Sequence, residues 1–283
     1  MMRAMIAAIS GLKVHQTMLD VAANDIANVN TNGYKSARAS FKDTLAYTQR
    51  GSTSPSVALG GTNPIQVGLG VEVSSVDTNM AAGPIQNTGN PLDLTIQGNG
   101  WFRVADGAVG AAGTSTYYTR AGNFSLDSGG NLVTQDGMRV IGYPQTAAGP
   151  PPTFGTTDSA ITVPAGAKAV TVGPDGVVSY VDAAGAAQTL ARITLAKFPN
   201  DAGLSRVSGN RFAVSTNSGA PAIGTPTDAT TGVGTLSAGA VEMSNVDLAQ
   251  EFTTIIMAQR GFQANSRVIS SSTQICSPLG ALA

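Results

Sequence analysis

His15 is the only histidine and Cys276 the only cysteine in 283 residues. Nucleophilic catalysis by serine or cysteine needs a base within hydrogen-bond reach, so any such device would have to recruit His15. No G-x-S-x-G elbow is present to present a serine. His15 lies inside an amphipathic run and is expected on an exposed helix face. One histidine and one cysteine cannot make a conventional zinc site, and a single cysteine closes no intrachain disulfide. Gly98-Asn99-Gly100 lacks the third glycine and the following helix of a dinucleotide loop, and is expected to be a hairpin turn. Asp127-Ser128-Gly129-Gly130-Asn131 resembles a calcium loop only in composition; its two glycines and flanking strand patterns make it a turn. Asn123-Phe124-Ser125 matches a glycosylation sequon, a match that chance supplies often. Carboxylate pairs exist, but nothing in the sequence brings two together for glycoside chemistry. No catalytic, cofactor-binding or metal-binding residue is assigned, no cofactor is expected, and the chain is expected not to be an enzyme.

The elements that would have to position chemistry are instead organised around the two ends of the chain. Met2, Met5, Ile9, Leu12, Gln16, Leu19, Ala23 and Ile26 follow one another at three and four residues, a heptad seam with one polar interruption. Leu248, Phe252, Ile255, Gln259, Phe262, Ser266 and Ile269 repeat the spacing near the C-terminus, and Cys276 continues it as a small apolar residue. Such narrow stripes need a partner helix, so the two seams are expected to pack on each other. Two ordinary amphipathic helices packed on a domain are the alternative. The first helix should end near Asn28, where Asn24, Asn28, Asn30, Asn32 and Gly33 crowd its exit. Ser244 is expected to cap the second helix with Asp247 at the third helical position, and Pro278 and Gly280 to stop it.

Between the ends the periodicity changes to two. Val67, Leu69, Val71 and Val73 line one side of a strand, and strands are expected at 92–97, 101–105, 116–120, 123–127, 131–134, 138–143, 169–172, 177–181, 190–198 and 211–215. Asp136-Gly137 and Asp175-Gly176 supply hairpin turns. Residues 46–64 and 216–235 are rich in Gly, Thr and other turn formers and suit extended arms. The expected fold is therefore α+β and multidomain: N- and C-terminal helices paired as a coiled coil, with a central all-β domain inserted between them. Residues 1–33 and 240–283 form the helical domain, 34–75 and 216–239 the extended connecting arms, and 76–215 the β domain.

Composition narrows the function classes. Charged residues make up 12% and the net charge is −1, so neither a polyanion such as nucleic acid nor a membrane surface is implied as a partner. No run reaches the roughly 18 apolar residues of a membrane span. Arg3 and the apolar run Met5 to Ile9 imitate the start of a signal peptide, but Lys13, His15 and Gln16 interrupt it. Few charges also mean little self-repulsion, which suits a subunit of a polymer.

The motifs resemble those of bacterial flagellar rod and hook proteins. Asn24-Asp25-Ile26-Ala27-Asn28-Val29-Asn30-Thr31-Asn32-Gly33-Tyr34-Lys35 is similar to the N-terminal signature of that family. Ser244-Asn245-Val246-Asp247-Leu248 and the run from Ala258 through Gln259, Arg260, Gly261 and Phe262 to Ser266 are similar to the C-terminal one. Between them, Leu92-Asp93-Leu94, Ile96 to Phe102 and Tyr118 to Phe124 resemble the family's first β domain. The resemblance implies a tubular homopolymer whose terminal helices line the inner tube. It also implies rod proteins and hook-associated junction proteins at the polymer ends, a hook cap during assembly, and unfolded passage through the flagellar export apparatus without a cleaved signal. Asn63 to Val71 and Glu242 to Asp247 look most like short hook proteins, so a hook subunit that transmits motor torque in the flagellum is the expected function. A distal rod subunit of the basal body is the alternative, a secreted adhesin or binding module the remote one. The glycine-rich arms are where a bending hook would keep adaptable contacts.

Overall fold

The computed structural model describes residues 2–55, 60–109, 115–147, 152–228 and 230–280, with side chains to residue 274. Two compact units emerge: one of Met1–Ala27, Ser36–Asn79 and Val246–Ala283, the other of Asn28–Lys35 and Met80–Asn245.

The first unit holds both helices. α1 spans Met2–Ala27 and α2 spans Leu248–Gly280. α2 passes through Pro278, where an early stop was expected. A proline so near a helix end deletes one N–H bond in a turn whose carbonyls already lack partners. The segment expected as an arm is paired. Ala37–Asp43 runs antiparallel to Val71–Thr78, with a bulge between Ser40 and Phe41. Ala46–Arg50 pairs with Ile65–Gly68, and Thr53 bridges Thr62 further out. α1 meets this ribbon through Ser10, whose Oγ donates to Ala7 O and accepts the N–H of Val71 at 3.2 Å.

The second unit is all β. Its largest sheet runs antiparallel through 169–172, 177–181, 187–193, 139–147, 101–106, 115–119, 211–213 and 205–207. Trp101–Asp106 lies centrally, with both faces covered. Phe102 and Val104 point into a core with Leu94, Ile96, Phe124, Leu132, Val140, Ile193 and Leu195. Trp101 points to the other side, into a smaller cluster with Tyr118, Phe198 and Phe212. Its ring meets Phe212 edge-on at 4.9 Å, a geometry the ring quadrupoles favour. Three-residue loops, 135–137 and 174–176, close the hairpins at Asp136-Gly137 and Asp175-Gly176, with the final glycine of each, Gly137 and Gly176, at φ 79°. Gly98-Asn99-Gly100 is a connection and not a hairpin: 94–97 pairs with 235–238, while 101–106 pairs elsewhere. Three-residue strands inside Gly- and Thr-rich sequence give no period-two pattern. Thus Ala222–Gly224 pairs with Leu195–Lys197, and Ala240–Glu242 with Ile85–Asn87. The second expected arm therefore carries two short strands, Ala222–Gly224 and Thr235–Ala238, and Ala240–Glu242 is a strand at the start of the stretch expected to be helical.

The β unit closes on a buried charge cluster. Glu242, 1% exposed, receives Lys35 Nζ on Oε1 at 2.6 Å and Arg120 on Oε2 at 3.3 Å. The N–H of Gly83 also donates to Oε1 at 3.0 Å. Lys35 also reaches Ala81 O at 2.8 Å and Arg120 reaches Gly98 O at 3.0 Å, while the buried Nε of Arg120 has no hydrogen-bond partner among the described residues. Burial pushes the Lys35 amine below its ordinary value, and the Glu242 carboxylate opposes that shift. The strand end carrying Glu242 also accepts the N–H of Gly33 at 2.8 Å. Gly33 has φ 68°, and a Cβ there would lie 2.5 Å from the backbone nitrogen of Ala121. Only glycine fits such a left-handed position against neighbouring backbone. Arg206 completes the attachment by stacking 4.6 Å over the Tyr34 ring and donating to Lys35 O.

Replacing the carboxylate would strand two buried cations. Glu242→Gln is expected to destabilise the β unit by about 3–5 kcal/mol. Trp101, the single tryptophan, is 1% exposed with the Arg120 guanidinium 5.4 Å from its ring. Its fluorescence during denaturant unfolding reports the loss; an unchanged midpoint would show that the cluster does not hold the unit closed.

Candidate assembly interface

α2 begins where Asp247 satisfies the free N–H groups of the first turn. Its Oδ1 accepts from Ala249 at 2.9 Å and Gln250 at 3.4 Å, so Asp247 is the N-cap and not the third helical residue. Ser244 lies upstream and is buried.

The two helices pack together. Gly11 faces Asn265 and His15 faces Gly261, so the helices run antiparallel. The covered face of α1 carries Ala8, Gly11, Val14, Ala22 and Asp25. On α2, Ala258 and Ser272 are buried, while Gly261 and Asn265 are partly so. Ala8, Gly11, Ala22 and Asp25 sit one residue before Ile9, Leu12, Ala23 and Ile26 of the expected seam. Ala258, Gly261 and Asn265 stand in the same relation to Gln259, Phe262 and Ser266. Ile9, Gln16, Leu248, Phe252, Gln259 and Phe262 are exposed, and Met5, Leu12, Leu19, Ile26, Ile255 and Ile269 are half-buried. The helices come close enough for glycine and alanine to fill the line between them, which pushes larger residues to the flanks. His15 is likewise part of the packed line and not an exposed residue, whereas the Cys276 side chain lies outside the described residues.

The family-motif residues fall in several places. Thr31 Oγ1 donates to Asn28 Oδ1 at 3.2 Å, and the N–H of Asn245 donates to Tyr34 O at 3.4 Å, both within the β unit beside Gly33. Asn24 on α1, and Gln259 and Arg260 on α2, are exposed. A polar cleft in the β unit is lined by Asn28, Asn32, Asn123, Gln135, Asp136 and Arg211 among others, with no histidine or cysteine to form a nucleophile–base pair. Among the described residues no group of three or more His, Cys, Asp or Glu could hold a metal, and no helix is long and apolar enough to cross a membrane.

Three family matches cover the architecture: "Flagella basal body rod protein" over residues 5–35, "Flagellar hook protein FlgE/F/G D1 domain" over 95–180, and "Flagellar basal body rod FlgEFG protein C-terminal" over 237–276. A flagellar basal-body rod protein FlgG of Bacillus subtilis is 42% identical over 99% of this chain and 98% of its own. The chain belongs to the flagellar rod and hook protein family. The FlgG of Agrobacterium fabrum is 38% identical over 98% of this chain and 97% of its own. A flagellar hook protein FlgE of Borreliella burgdorferi is 44% identical, but over 50% of this chain and 31% of its own. Members of the family are structural components of the flagellar rod and hook, and serve motility.

In this flagellar chain the helix pair carries a cluster of acids at one end. Asp25 is fully buried on α1, and its Oδ2 accepts the N–H of Ala37 at 2.9 Å. Glu251 lies in the first turn of α2, where the helix dipole favours an anion. Burial first, then the carboxylates of Asp25 and Asp247, push its carboxyl above the ordinary value of 4.5. A group that holds its proton more tightly when folded contributes stability below its unfolded value, and loses it as pH rises through the folded one. Glu251→Gln is therefore expected to raise the unfolding midpoint of the helices at neutral pH. It should also flatten the decline in stability that begins above pH 4.5. Helical circular dichroism during unfolding checks both, and an unaltered pH profile would refute the assignment.

Proposed function

We propose that this chain is a distal rod subunit whose terminal helices pair as an antiparallel coiled coil and assemble against other copies of the chain. The observation that supports assembly is the row of large apolar side chains left in solvent. Met2, Ile6 and Ile9 follow at four and three residues on α1, at 76%, 58% and 43% exposure. On α2, Phe252 and Ile256 are 54% and 50% exposed, with Met257 and Phe262 nearby. Rows of this kind are unusual on a monomer and mark a surface that another protein covers. A contact between unlike faces that does not close into a ring produces a filament.

The choice of rod over hook corrects the expectation drawn from the motifs near residues 63–71 and 242–247. The Bacillus and Agrobacterium proteins that align along almost all of both chains are named rod proteins. The hook protein from Borreliella matches half of this chain and leaves about two thirds of its own length unmatched. Local motifs shared by rod and hook weigh less than agreement in length and order throughout. Electron microscopy of basal bodies from a deletion strain tests the placement. Rods shortened at the distal end support it; intact rods that lack only the hook would sink it.

Phe262→Asp places a carboxylate on a residue already 40% exposed, so the free chain should keep its melting behaviour. Buried in a polymer contact, the same carboxylate costs several kcal/mol at about every subunit, so sedimenting polymer and motility should be lost. Lys13→Asp, also at an exposed position, should retain both. Normal assembly of the Phe262 variant would remove the helices from the contact.

A further inference from the structure

We propose that two reciprocal glycine notches lock the register of α1 on α2, and so fix which apolar face the helix pair presents to a second copy of the chain. The second-copy half rests on the assembly proposed above; the lock does not. A Cβ built on Gly261 would lie 2.4 Å from His15 Nε2, 2.5 Å from Cε1 and 2.9 Å from Cδ2. The far edge of the imidazole therefore rests on bare backbone. A Cβ on Gly11 would lie 2.5 Å from Asn265 Nδ2 and 3.1 Å from its Cγ. On each helix the notch and the intruding side chain are four residues apart, about one turn. Each helix thus gives the other one notch and one knob. His15 Nδ1 is buried with no hydrogen-bond partner among the described residues, so shape and not hydrogen bonding seats the ring. Glycine weakens a helix relative to alanine, and two in mid-helix positions are explained by these two contacts.

The alanines of the line do not select a register. Ala8, Ala22 and Ala258 are small and buried, and none is a knob that a slip of about one heptad would unseat. The notches break that degeneracy. Such a slip sets His15 against Val268 or Thr254, and Asn265 against Met18 or Ala4, and every one of these has a Cβ where the native register has none. Register in turn decides how Ile9, Phe252 and Phe262 line the flanks of the pair, which is the geometry a second copy would meet.

The test is the sign of one substitution in two backgrounds of the full chain. On an open helix face Gly261→Ala stabilises. With the lock in place, Gly261→Ala should lower the unfolding midpoint read from helical circular dichroism, and the same change in a His15→Ala background should raise it. Stabilisation in both backgrounds would overturn the lock. Sedimentation reads the second half separately: Gly261→Ala should impair polymerisation and the double variant should recover it. Unimpaired polymerisation of the single variant would overturn the role of register in presenting the face. A wild-type chain that never polymerises would overturn the assembly proposal and with it the second-copy half, while the stability signs still decide the lock.

Discussion

The carboxylate of Glu242 is the constraint on which the β unit depends. A charge with almost no solvent exposure survives only when its partners are in place, and here they come from three distant parts of the chain: Lys35, Gly83 and Arg120. Taking these charges from water makes the cluster a weak source of net stability but a strong discriminator between complete and incomplete packing. The Asn28–Lys35 segment is bound into the β unit by this requirement and by Gly33, although the sequence pattern groups its first part with the helix.

The pairing of the helices illustrates how far sequence reasoning reached. Both helices, their three-four periodicity and their mutual packing were legible from the apolar residues. The packed line itself was not, because a search for large apolar residues finds Ile9, Leu12 and Phe262 and passes over Ala8, Gly11 and Gly261 beside them. Where helices approach closely the informative residues are the smallest ones. Gly11 and Gly261 were available as the clue, since a mid-helix glycine without a contact is a cost without a return. The exposed aromatic and aliphatic side chains that dominate the pattern belong to the outside of the pair.

The β unit shows a different limit. Long strands with dense apolar content, such as Trp101–Asp106 and Val177–Val181, stood out. Three-residue strands such as Ile85–Asn87 and Ala240–Glu242 did not, because they span too few residues for alternation and are defined by the backbone they pair with. The charge cluster was invisible for a related reason: Lys35 and Glu242 are 207 positions apart, and nothing in either residue type announces burial. Motif likeness near each end carried the chain to the rod and hook family, whose members share those motifs, and no further.

The ladders near the ends of the β unit have a consequence for how such chains diversify. Ile85–Asn87 pairs with Ala240–Glu242, and Leu94–Gln97 pairs with Thr235–Ala238, so the polypeptide leaves and re-enters through two short antiparallel gates. Everything between those gates is, topologically, a single closed loop. The entropic cost of closing a flexible loop rises by only about 0.6 kcal/mol for each doubling of its length. A whole extra domain could therefore be spliced into the excursion while both gates kept their pairing. Chains of very different size could share one pair of ends.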